Sequence, residues 1–118
     1  VVEPELNVTV DREARSGESG PMVKVAGEVD IQSAPLLDEH LQRVLDEGVS
    51  SLVIDLGGVS FLDSTGLSAL IACLKRCEAG GGTVRLVSAR PNVRRVFEVT
   101  GLTAVFHMEE PGHDPTPD

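Results

Sequence analysis

Residues 61–67, FLDSTGL, set a carboxylate and two hydroxyls between an apolar run and an amphipathic stretch. Asp63 and Ser64 are both types that cap helices, so one can take the orphan amides while the other faces solvent. Gly66 lets the backbone turn tightly at a point where a side chain could obstruct an approaching partner. A helix start also offers free N–H groups and a partial positive charge, which suits an anion. A phosphate on Ser64 would bring about −1.5 to −2 charges to that place. The fold would tolerate this, whereas a partner docked there through an acidic or apolar surface would not. The residues alone leave a plainer reading open, in which the hydroxyl only caps a helix. A second junction of the same kind is GEVDIQSA, residues 27–34, where Asp30 reads either as a turn residue or as a contact residue.

Other chemistries find less support. A nucleophilic serine needs a base within hydrogen-bond reach, itself held by a third group. Of His40, His107 and His113, the first lies on the polar side of a helix and the last in the tail, which leaves His107. The G-x-S-x-G elbow is absent, so the chain reads as no enzyme. Cys73 and Cys77 share a helix face with side chains too parallel for a disulfide. Two thiols also make a poor zinc site, so reduced cysteines and no metal are expected. Gly80-Gly81-Gly82 lacks the phosphate-loop pattern and reads as a helix stop; no cofactor is expected. Arg90, Arg94 and Arg95 cluster as a solvated basic face or as a contact for an acidic partner.

These residues must be held by a single domain, since the chain has 118 residues, 41% of them hydrophobic and 25% charged. A formal net charge of −9 argues against nucleic acid and anionic membrane surfaces, and favours a basic partner surface or simple solubility. The opening VVEPELNVTV has no basic n-region or long apolar core, and no stretch is long enough to span a bilayer. A cytoplasmic location is expected.

Leu6, Val8 and Val10 alternate with polar residues as a half-buried strand, and Val23, Val25 and Val29 repeat the pattern after a loop at 11–21. Ser33 as cap and Pro35 in the first turn open a helix with Leu37, Leu41, Val44 and Leu45 on one face. Leu52–Leu56 reads as a central strand covered on both faces. A second helix carries Leu67, Leu70, Ile71 and Leu74. Thr83–Val87 forms a further strand, and Arg90-Pro91-Asn92 opens a third helix that closes at Gly101. Val105 and Phe106 add a last short edge strand. Residues 1–110 form the domain, and the acidic, proline-rich 111–118 is a disordered tail. The expected class is α/β, a mixed and mostly parallel sheet of about four to five strands covered by three to four helices. Functional residues gather where such strands end and helices begin.

The pieces GEVDIQSAPLL, LVIDLGGVSFLDSTGLSALI and GGTVRLVSARPNVRRVFEVTGL, from about residue 22 to 107, resemble the bacterial anti-sigma factor antagonists of the STAS family. The resemblance implies a protein that, unphosphorylated, binds an anti-sigma factor and so frees a sigma factor for transcription. The anti-sigma factor is then an ATP-dependent serine kinase that phosphorylates the antagonist and ends the complex, and a serine phosphatase resets it. Carried over by the motif, Ser64 is the phosphoacceptor and Thr65 the runner-up. Asp30 helps form the partner surface, and Asp63, Thr65, Gly66 and Leu67, the motif around the acceptor, are expected to bind the partner with it. The long first loop and the acidic tail depart from the family pattern. Two alternatives stay beside this one: a STAS scaffold module that is never phosphorylated, and a domain cut from an anion transporter.

Overall fold

In the computed structural model, which describes residues 6–12 and 20–108, the alternation of Leu6, Val8 and Val10 becomes strand β1 (Leu6–Asp11). It pairs antiparallel with β2 (Met22–Val29), Val8 opposite Val25. Most of the loop expected between them, and the tail expected at 111–118, lie outside the described residues. The sheet continues in sequence order through β3 (Leu52–Leu62) and β4 (Val84–Val87), both parallel to β2. Each parallel step requires a helical crossover. These are α1 (Ala34–Asp46) and α2 (Ser64–Ala79), and α3 (Pro91–Thr100) follows β4. The α/β class and the mixed sheet thus stand as expected, with four strands and three helices among the described residues.

The helices form where period and end signals coincide. Pro35 and Pro91 sit in first turns, where a missing N–H costs nothing. Leu37, Leu41, Val44 and Leu45 are the buried stripe of α1, and Leu67, Leu70, Cys73, Leu74 and Cys77 that of α2. Gly101 ends α3 at φ 73°, in the left-handed region that glycine enters without steric cost. Arg76 near the end of α2 reaches across to Asp46 of α1 at 2.7 Å, adding an exposed clasp to the apolar contact between the two helices.

Two expectations are corrected. The run Leu52–Leu56 is not covered on both faces. Leu52, Ile54 and Leu56 enter the core with Val23, Val25, Val84 and Leu86, and the three helices contribute to that same cluster. Across the sheet, Asp55 and Gly57 share an open face with Asn7, Thr9, Lys24 and Arg85. Val53 is buried there but outside the cluster, which made the run look apolar on both sides. The second correction is Val105 and Phe106, which form no strand. Residues 103–107 wind in turns, with Phe106 N–H donating to the Leu102 carbonyl and Met108 N–H to that of Thr103. One bond to β4 remains, from Leu86 N–H to the Phe106 carbonyl at 3.0 Å. Phe106 is fully buried and meets Phe97 edge to face at 5.5 Å, so its apolar signal reflects a plug, not a strand.

Strand β3 runs on through Gly57-Gly58 by means of irregular pairing. Between its Lys24–Asp55 and Val29–Leu62 pairs, β3 carries two residues more than β2. Extra residues of this kind bend a strand and re-aim the side chains beyond the bend. Gly58 sits at such a step, where a Cβ would come within 2.7 Å of the Ala26 Cβ.

If the turn after α3 is part of the core, Phe106→Ala should lower stability by about 3–5 kcal/mol in urea unfolding. Val105→Ala, at a 44% exposed neighbour, should change it by no more than about 0.5 kcal/mol.

Candidate functional site

The pairing of Val29 with Leu62 brings the ends of β2 and β3 side by side, and Asp63 N–H donates to the Val29 carbonyl at 3.1 Å. The two junctions singled out in the sequence therefore leave the sheet together. Asp63 has an extended backbone and becomes the N-cap of α2. Its Oδ1 accepts from Thr65 N–H at 3.0 Å, Gly66 N–H at 3.2 Å and the Thr65 hydroxyl at 2.5 Å. The Thr65 hydroxyl is the main reason the Asp63 carboxyl is held below its ordinary value; partial burial opposes this, and the two amides assist.

Asp63 thus takes the amides that made the helix start look ready for an anion. Ser64, the next residue, is exposed, and its hydroxyl makes no hydrogen bond among the described residues. Thr65 is half-buried with its hydroxyl committed to Asp63. Of the two candidate acceptors, one is presented to solvent and the other is tied down.

Gly66 and Leu67, expected at the partner surface, are buried behind it. A Cβ on Gly66 would lie 2.5 Å from Val29 Cγ1 and 2.7 Å from Leu62 Cδ1. Glycine is needed there so that α2 can start against the strand ends, not to admit a partner. Asp30 organises its own turn: Oδ1 accepts from the N–H groups of Gln32 and Ser33, both at 3.0 Å. Ser33 occupies the N-cap position of α1, but its side chain does not cap. Its hydroxyl instead donates to the Glu28 carbonyl at 2.6 Å and accepts from Asp30 N–H at 3.0 Å, closing the turn from inside.

Two residues missed by the sequence reading complete the surface. Ile31, at the tip of the Asp30 turn, is 72% exposed, and Phe61, beside Leu62, is 46% exposed. Ile31 carried a signal, being an isoleucine inside a polar turn. Phe61 did not, because the irregular pairing of β3 breaks the alternation that would assign its side. Both lie in the two segments that the Val29–Leu62 pairing brings together, which also carry Ser64 and the carboxylates of Glu28, Asp30 and Asp63.

His107 lies at the other end of the sheet, where its Nε2 is 3.0 Å from the Thr83 hydroxyl, just before β4. That is the whole length of β3 away from Ser64, roughly 30 Å at strand rise, so it is no base for this serine. Cys73 donates to Cys77; that bond, with burial, pushes the Cys73 thiol up, and the same bond pulls the Cys77 thiol down against the opposing effect of burial, both being free cysteines in the core. Of the arginine cluster, Arg90 Nε donates to the Gly57 carbonyl at 3.0 Å and Arg94 pairs with Glu98 at 3.0 Å. Among the described residues no group of three or more His, Cys, Asp or Glu could hold a metal ion, and no helix is long and apolar enough to cross a membrane.

A family profile described as STAS domain matches residues 11–114. The chain is 36% identical over 103 residues to the anti-sigma-B factor antagonist of Bacillus subtilis, covering 87% of this chain and 92% of that one. It is 33% identical over 88 residues to the protein of the same name from Staphylococcus aureus, covering 75% and 82%. A crystal structure of an anti-sigma factor antagonist from Mycobacterium paratuberculosis superposes with a TM-score of 0.75 at 30% identity, over 95% of this chain and 87% of that one.

Asp63→Ala should lower stability by about 1–2 kcal/mol at neutral pH through loss of the cap. Because folding depresses the Asp63 carboxyl, its contribution is complete above the ordinary carboxylate range. It is lost as pH falls through the lowered folded value. Urea midpoints of wild type and variant should therefore converge in strong acid.

Proposed function

The chain belongs to the STAS domain family, and from that premise we propose that it is an anti-sigma factor antagonist switched by phosphorylation of Ser64. The unphosphorylated protein docks on an anti-sigma factor that is also a serine kinase, and so releases a sigma factor. Phosphate on Ser64 ends the complex, and a serine phosphatase restores it. The protein works by binding and not by catalysis, in the cytoplasm. The observation that carries this reading is the division of labour at the start of α2, where Asp63 caps and Ser64 stands exposed.

The local geometry supports a surface switch. With the Thr65 and Gly66 amides already taken by Asp63, a phosphate on Ser64 is not drawn into the helix start. It remains on the outside, beside a carboxylate, where a partner must meet it. Ile31 and Phe61 supply the apolar contact, and Asp30 and Asp63 shape the two loops that present it. A partner with an apolar cleft and a basic rim fits this surface and the net charge of −9. Adding about −1.5 to −2 charges to the centre of such a contact introduces both like-charge repulsion and a desolvation cost. Gly66 and Leu67 serve from behind by seating α2 against the strand ends.

The test is incubation of wild type and Ser64→Ala with ATP and candidate anti-sigma kinases, read by intact mass and by complex formation. Wild type should gain one phosphate at Ser64 and leave the complex. Ser64→Ala should gain none and remain bound, and Ser64→Asp should bind weakly. A Ser64→Ala complex that dissociates with ATP as the wild-type complex does would sink the switch, and stable binding without phosphate transfer would indicate a scaffold module. Ile31→Ser and Phe61→Ser should each weaken the complex at least about tenfold while leaving the urea midpoint nearly unchanged.

A further inference from the structure

Strand β4 pairs with β3 only from Leu52 to Asp55, so the distal half of β3 runs on without a strand on that side. This half holds the irregular pairing with β2, and it leads directly into Phe61 and Ser64. Two of its carbonyls are met instead by side chains from the N-cap and the first turn of α3. Arg90 Nε donates to the Gly57 carbonyl at 3.0 Å, and Asn92 Nδ2 donates to the Ser60 carbonyl at 2.8 Å. Ser88, in the connection from β4 to α3, lies against Gly57 as well. A regular strand would offer acceptors to one side at every second residue. Here they lie three apart, and the two donors match that interval.

We propose that Arg90 and Asn92 are positioning residues for the Ser64 switch. They act as a side-chain substitute for a missing strand, fixing the end of β3 and with it the Phe61–Ser64 segment. A bulged strand held on one side only is free to slip or fray; the tether removes that freedom where the acceptor must be presented. The role rests on the switch reading given above, but the tether itself can be judged without the kinase.

Asn92→Asp isolates it. The substitution keeps shape and volume, removes the donor, and puts a carboxylate in the first turn of α3, where it favours the helix. Loosening of β3 would therefore not stem from a weakened α3. Amide hydrogen exchange at Phe61–Gly66 should quicken by roughly fivefold, the equivalent of one ordinary hydrogen bond, while β1 and the first half of β2 keep wild-type rates. Arg90→Lys, which retains the charge but not the Nε–H, should act in the same direction at Gly57 and Gly58. With the kinase that modifies wild type, kcat for Ser64 should fall by a similar factor, while KM stays near the wild-type value.

Unchanged exchange at Phe61–Gly66 would overturn the proposal whatever the kinetics, and a rise in KM alone would mean that Asn92 touches the kinase directly. Exchange quickened evenly over the whole sheet would reduce the effect to global stability and overturn it too. Local quickening without loss of kcat would likewise end the positioning role. If wild type accepts no phosphate from any kinase, the switch reading itself has failed, and with it the role in switching. The exchange data would show separately whether the tether exists.

Discussion

Parallel pairing of β2 with β3 is the constraint that creates the proposed binding surface. Strands that run the same way end at the same edge, so the turns after Val29 and Leu62 emerge as neighbours although more than thirty residues separate them in sequence. The Asp63 N–H on the Val29 carbonyl fastens that edge, and Gly66 lets α2 begin directly above it. An antiparallel arrangement would have put Asp30 and Ser64 at opposite ends of the molecule. The crossover helix α1 thus contributes more than cover, because its length and packing allow the second strand to return in the same direction.

A one-sided core is the second consequence. Apolar faces of the strands and helices meet in one cluster closed at the C-terminal side by Phe97 and Phe106. The opposite face of the sheet stays polar, with Asn7, Thr9, Lys24 and Arg85 exposed. Burial of the apolar face supplies the stabilisation, and the loops at the strand ends are left to be shaped by local hydrogen bonds. Asp30 and Asp63 do this in the same manner, each using a single carboxylate oxygen to gather nearby amides. Two acidic residues are consumed as structural acceptors so that the side chains between and beside them can face outwards.

That arrangement suits a protein regulated by a covalent mark. The Ser64 hydroxyl, the proposed acceptor, makes no hydrogen bond among the described residues, so modifying it would break none of the bonds seen there. Neighbouring groups that do have duties are half-buried and already satisfied. A switch of this sort changes what the surface presents and leaves its support alone, which distinguishes it from sites where phosphate orders or melts a segment.

Much of this was legible in the chain itself. Alternating valines marked β1 and β2, period and end signals marked the three helices, and the DSTG segment carried both a cap and an exposed hydroxyl. These are local properties, set by backbone geometry and by which residue types satisfy a helix start, and local sequence determines them. What the chain did not decide depended on distant neighbours. Phe106 looked like strand because burial in a turn and burial in a sheet select the same residue types. The run LVIDL looked covered on both faces because Val53 is buried without belonging to the core. Phe61 could not be assigned a side, since two extra residues in β3 shift the alternation only when the strand is laid against β2. The arginine cluster at α3 gave no hint that Arg90 would reach Gly57, nor Asn92 that it would reach Ser60, more than thirty residues away. Which residues form elements is written locally, whereas which face each element shows and which carbonyls lack a partner are settled only when the elements meet.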